Sequence, residues 1–93
     1  MILSFVDRTT EMVFAGVCPK RFPADLFRVA RRKREAINAA TRLNDLRSPP
    51  GNRLEALSGD RVGQYSIRVN DQFRGCFRWK DGEAEDVEIT DYH

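Results

Sequence analysis

QYSIRV (Gln64 to Val69), FRGCFRW (Phe73 to Trp79) and EDVEITDYH (Glu85 to His93) fill the last third of this 93-residue chain. Each segment is rich in β-branched or aromatic residues and runs close to period two, the pattern of a half-buried strand. The alternation sets a register. Tyr65, Ile67 and Val69 share a face with Phe73, Gly75, Phe77 and Trp79 only if Val69 faces Phe73. Asn70-Asp71-Gln72 is then a three-residue loop of turn-forming type. The same register puts Arg68 opposite Arg74 on the other face, with Arg78 further along it. Like charges directly opposite on a sheet repel. Either these arginines splay into water or pair with Glu88, or the face is built to hold an anion such as a phosphate, which the planar guanidinium fork suits.

Upstream, MILSF at the start reads as a short strand that must join the sheet beside a later one, because it cannot stand alone. Asp7 is placed to cap a short helix carrying Met12, Val13 and Phe14, ended near Gly16. Pro23 suits the first position of a second helix, with Asp25 in its first turn. That helix is expected to run to about Leu46, with Leu26, Val29, Ala30, Ala36, Ile37, Ala40 and Leu43 as an apolar stripe. Arg28, Arg31, Arg32, Glu35 and Arg42 fall on its other side. Charge on a helix face is usually a solvated surface. The run Arg31-Arg32-Lys33-Arg34, with Arg28 one turn earlier, is denser than solubility requires. Ser48-Pro49-Pro50-Gly51 ends the helix. Asn52 to Asp60 is anchored by Leu54 and Leu57 and turns into the sheet at Gly59-Asp60. A strand, two helices and then antiparallel strands make an α+β domain.

The length allows one small domain, residues 1–93. Charged residues make up 32% of the chain, which argues against insertion in a membrane. The sequence holds no apolar run of the roughly 18 residues a membrane-spanning helix needs. MILSF is short for a signal-peptide core and lacks a basic start, so a cytoplasmic location is expected. Cys18 and Cys76 show no metal-ligand spacing with His93, the single histidine, and free thiols are the expectation for a cytoplasmic chain. Net charge is only +2 but uneven. Pro19 to Arg61 carries eleven Lys/Arg against five Asp/Glu; Asp81 to His93 carries six acids and no Lys/Arg. Such asymmetry suits a surface that faces a polyanion. The competing reading is that the basic helix and the acidic strand pair with each other inside the fold.

The run LEALSGDRVGQYSIRVNDQFRGCFRWKDGEAEDVEITDYH resembles the HigB toxins of the RelE superfamily, ribosome-dependent messenger-RNA endonucleases. The resemblance extends to the MILSF start and the PADLFRVARRK helix. It implies a small antiparallel sheet with two N-terminal helices packed on one face. It implies a type II toxin that cleaves messenger RNA on the ribosome and is neutralised by a HigA-like helix-turn-helix antitoxin. On matching positions, the strand arginine of the family is Arg74, and its C-terminal acid, tyrosine and histidine are Asp91, Tyr92 and His93. Two positions depart. Relatives often carry a lysine just before the Gly-Asp turn, where this chain has Ser58, and some carry a histidine where it has Glu55. The missing lysine would weaken catalysis unless Arg53, Arg61 or Lys80 reaches the same place.

Cleavage of RNA without a metal or cofactor is the economical expectation, since the 2′-hydroxyl can attack the adjacent phosphorus. The protein must supply a base, a cation for the pentacoordinate phosphate and an acid for the leaving oxygen. Arg74 is the candidate cation. His93 suits acid or base, with a reference pKa of about 6.5. Asp91 could orient the imidazole or take the proton itself. Tyr92 could stack on a base or lend its hydroxyl; its parity with Glu88 and Thr90 places it on the arginine-bearing face. Arg28, Arg31, Arg32, Arg68 and Arg78 are the candidates for RNA and ribosome contact. The alternative, suggested by Ser58 and Glu55, is a weakened homologue that binds RNA or a partner without cutting.

Overall fold

A computed structural model describes residues 1–91. The first helix, α1 (Arg8–Phe14), starts where expected: the Asp7 carboxylate accepts from the Thr10 amide at 2.7 Å. It ends in a Schellman turn, with Gly16 at φ 92 and the amides of Gly16 and Val17 donating to the carbonyls of Val13 and Met12. The second helix, α2 (Ala24–Ala39), follows Pro23, which serves as its N-cap and not as its first helical residue.

The expectation that α2 runs to about Leu46 is corrected. Ala40 is extended, at ψ 132, and Leu43–Arg47 is a separate 3₁₀ turn. The reason is local. The Asp45 carboxylate accepts from the amides of Thr41 and Arg42, both at 3.1 Å, and so offers them a partner outside an α-helix. Those hydrogen bonds hold the Asp45 carboxyl below its usual range. Arg42 therefore does not share the basic face of α2.

Four strands follow as one antiparallel sheet: β1 (Glu55–Ala56), β2 (Gln64–Arg68), β3 (Phe73–Lys80) and β4 (Glu83–Asp91). The two-residue β1 was not foreseen, because nothing in its composition marks it; it pairs with Tyr65 and Ser66 of β2. The β2–β3 register is the expected one, with Ile67 opposite Gly75 and Arg68 opposite Arg74. The turn between them is held by Asn70, whose side-chain oxygen accepts from the amides of Gln72 and Phe73. The N-terminal segment does join a later strand. Ile2 and Phe5 bridge in parallel to Ala84 and Val87, covering the outer edge of β4.

Both helices pack on one face of the sheet. Val13, Phe14, Leu26, Ala30 and Ile37 meet Ile67, Val69, Phe77, Ala84 and Val87 in a single core. Phe77 is fully buried, with Trp79 edge-on at 6.3 Å and Tyr65 at 6.5 Å. Thr10, 1% exposed, ties α1 to the sheet: its hydroxyl accepts from the Ile89 amide at 3.1 Å. The opposite face of the sheet is polar.

Thr10→Val keeps the shape but leaves the Ile89 amide without its acceptor. We expect a loss of about 1–3 kcal/mol, read from the urea midpoint. Asp45 gives a pH-dependent prediction. Its folded pKa is depressed, so its contribution is present above the unfolded pKa and lost as pH falls through the folded one. Asp45→Asn should therefore lower stability at neutral pH and show a smaller further loss on acidification than the parent chain, measured by urea unfolding across the acid range.

Candidate active site

The polar face of the sheet is built by alternation. In β2 it carries Gln64, Ser66 and Arg68; in β3, Arg74, Cys76 and Arg78; in β4, Glu88 and Thr90. Ser66 and Cys76 are fully buried beneath the longer side chains. Burial pushes the Cys76 thiol up from its usual value, against the opposing effect of the neighbouring Thr90 hydroxyl. Cys76 is thus an inert thiol, and neither cysteine is in a disulfide.

Arg74 stands at the centre of this face, its side chain only 13% exposed. Its Nε donates to Ser66 Oγ at 2.8 Å and its Nη2 to the Arg53 carbonyl at 2.6 Å. The Arg53 carbonyl is aimed by an unusual backbone: Arg53 sits in the left-handed region, at φ 47 and ψ 56, just after the Pro50–Asn52 turn. Glu55 of β1 brings its carboxylate to 3.9 Å from Arg74 Nη2. Arg53, Glu55, Arg68 and Arg74 line an open cleft of about 370 Å³, closed at one end by the Asn70-Asp71-Gln72 turn.

The opposed arginines of the central strands take different partners. Arg68 pairs with Asp71 in the turn, while Arg74 leans across β2 towards β1. Neither takes Glu88, which accepts from Arg61 at 3.1 Å; Arg61 also donates to Gln64. Arg78 faces Asp86 at 3.7 Å, outside the cleft. The acidic last strand is therefore met at Glu88 by Arg61 of the turn before β2 and at Asp86 by Arg78 of β3, which corrects the reading in which it pairs with the basic helix.

The helix arginines do not form one surface. Arg28 pairs with Asp25 in exposed solvent. Arg31 is half-buried and donates to the Phe14 carbonyl at 2.6 Å, closing the C-terminus of α1. Of the three, Arg32 alone lines a cleft, the one between α2 and the end of β2.

Asp91 pairs in register with Phe73, in step with Ile89, and its carboxylate accepts from Gln72 Nε2 at 2.9 Å. The calls on Tyr92 and His93 lie outside the described residues. Ser58 is exposed at the start of a short 3₁₀ turn, and Lys80 lies at the far end of β3. Of the cations that could replace the missing lysine, Arg53 is the one in the cleft. Sequence reasoning offered Arg53 only as one of three possible substitutes for the lysine, and read Glu55 only as a departure from the family pattern. The residue type was visible, but only the β1–β2 pairing shows that Glu55 faces Ser66 beside Arg74. Among the described residues no group of three His, Cys, Asp or Glu side chains is gathered as metal ligands would be.

The arrangement of a half-buried guanidinium, a second and third arginine and one carboxylate in an open cleft suits a phosphodiester. The chain is 42% identical to Toxin HigB-1 of Vibrio cholerae over 85 residues, 90% of each chain. It is 33% identical to Endoribonuclease HigB of Proteus vulgaris over 94 residues, the full length of both. The fold resembles that of a YoeB/ParE toxin from Agrobacterium tumefaciens, with a TM-score of 0.51, 16% identity and 96% of each chain covered. Residues 4–93 match the model for the RelE-like toxin HigB of type II toxin–antitoxin systems, and the chain belongs to this HigB-like toxin family.

Proposed function

We propose that this toxin is a ribosome-dependent messenger-RNA endonuclease whose reaction runs in the Arg74 cleft. The observation that carries the reading is the meeting of Arg74, Arg53 and Glu55 in one open cleft on the polar face. The activity named for the Proteus vulgaris relative supports it. Membership of a type II family implies a cognate antitoxin; we take it to be a HigA-like helix-turn-helix protein, and the site of action to be the cytoplasm.

In this reading the Glu55 carboxylate takes the proton of the 2′-hydroxyl. The oxygen then attacks phosphorus, forming a 2′,3′-cyclic phosphate as the bond to the 5′-oxygen breaks. The guanidinium of Arg74 binds the non-bridging oxygens, where charge develops in the transition state. Arg74 is pre-set for this: Ser66 and the Arg53 carbonyl fix its plane before any ligand arrives. Arg53 supplies the second cation, in place of the lysine that relatives carry before the Gly-Asp turn. Arg68 lies on the strand's path beside them. His93 gives a proton to the leaving 5′-oxygen, Asp91 and Tyr92 support it, and Arg78 contacts the RNA or ribosome further along the face. In this reading Ser58 does not disable the site, because Arg53 takes the place of the lysine.

Arg74→Ala should lower cleavage of ribosome-bound message by about 10²- to 10³-fold, with folding and antitoxin binding retained. Growth arrest as strong as that of the parent chain would remove Arg74 from the reaction. Glu55→Gln, nearly isosteric, should lower the single-turnover rate by about 10²- to 10⁴-fold with little change in ribosome affinity. Glu55→His should restore a base at that position and shift the pH profile of cleavage. A Glu55→Gln protein that cuts at the parental rate would assign the base elsewhere.

A further inference from the structure

A second cleft, of about 450 Å³, lies between α2 and the Pro50–Asn52 turn. Arg32, Lys33 and Arg68 line it together with Asn52, over an apolar floor that includes Val29 and Val69. No carboxylate is among its lining residues, in contrast to the Arg74 cleft, where Glu55 and Asp71 are present.

The cleft is anchored from beneath. Asn52 is fully buried, and its Nδ2 donates to the carbonyls of Leu46 and Ser48, both at 3.2 Å. Those two bonds fix the amide plane, so that Oδ1 must face α2, where it accepts from Lys33 Nζ. An ammonium has three protons, and this contact uses one. Lys33 is thus a held cation with donors directed into the cleft. Burial lowers its pKa, and the charges of Arg32 and Arg68 lower it further. A bound anion would offset the repulsion among the three cations. The apolar floor makes such a contact stronger than it would be in open water.

We propose that the Lys33–Asn52 cleft seats a phosphodiester of single-stranded RNA, on the strand that continues out of the Arg74 cleft. Arg68 lines both clefts, so a strand leaving one reaches the other along a shared guanidinium. The proposal rests on the reading of the Arg74 cleft as the RNA-cutting site. It makes Lys33 a binding residue and Asn52 a positioning residue. Lys33 lies in the dense basic run of α2, whereas nothing in the sequence marked Asn52.

The test uses the Asn52 side-chain amide and the Lys33 ε-methylene as nuclear magnetic resonance reporters. The intact protein is titrated with a single-stranded oligouridylate, with a short RNA duplex and with polyglutamate. We expect the single strand to shift both signals. Lys33→Gln keeps a donor for Asn52 and removes the charge. It should weaken binding of the single strand by about tenfold, with the slope of log affinity against log salt smaller by about 0.7. Lys33→Arg should restore much of the affinity. Saturation by the single strand without movement of the Asn52 and Lys33 signals would overturn the proposal. So would duplex alone moving them, as a ribosomal RNA helix would, or polyglutamate alone, as an acidic protein segment would. Cleavage that survives Arg74→Ala while the signals still answer to the single strand would sink the catalytic reading and leave the cleft's ligand standing.

Discussion

The register between β2 and β3 is the constraint on which the rest depends. Side chains on a strand alternate, so a slip of one residue would turn Ile67 and Phe77 to water and drive Arg68 and Arg74 into the core. Two local features prevent this. The Asn70 side chain accepts from the amides of Gln72 and Phe73, which sets the length of the turn. The Val69 amide then donates to the Phe73 carbonyl at 3.0 Å, closing the hairpin. Everything built on the apolar face, including the seats of both helices, follows from that closure.

The same register forces two guanidinium groups opposite each other. The fold does not neutralise the pair with one shared acid. Arg68 takes Asp71 of the turn, and Arg74 is drawn the other way by Ser66 and a backbone carbonyl. Both acceptors fix the plane of the Arg74 guanidinium, whose side chain is only 13% exposed. In the reaction proposed above, a guanidinium oriented in this way, with Glu55 at 3.9 Å, meets the charge that develops on the phosphate oxygens. The left-handed Arg53 is the cost of that arrangement, of order 1–2 kcal/mol for a residue with a Cβ.

Helix α2 does three separate jobs along its length. Leu26, Ala30 and Ile37 fill the core. Arg31 closes the C-terminus of α1 through the Phe14 carbonyl. Lys33, two residues on, reaches the opposite way to the buried Asn52. The dense basic run is therefore not one surface. Successive residues on a helix point about 100° apart, so neighbouring cations of the run are divided between a cap, at Arg31, and a cleft, at Arg32 and Lys33.

The sequence by itself determined the class of the fold, the hairpin and its register, the Asp7 cap and the family. These rest on local rules: alternation, turn chemistry and capping, each of which acts within a few residues. It also showed Arg74 as a charged residue on the polar face, because parity alone requires it. Local rules failed at Ala40, where a single aspartate five residues on diverted the helix, and at Glu55, whose strand is two residues long. Tertiary structure alone decided which charges meet. Arg61 and not Arg68 or Arg74 takes Glu88, and Arg53 rather than Lys80 enters the cleft. Such partners lie nineteen or more residues apart in the chain, and no periodicity records which long side chain will reach which. Only the placement of β1 beside β2, and of the Pro50–Asn52 turn against α2, brings them within a hydrogen bond of each other.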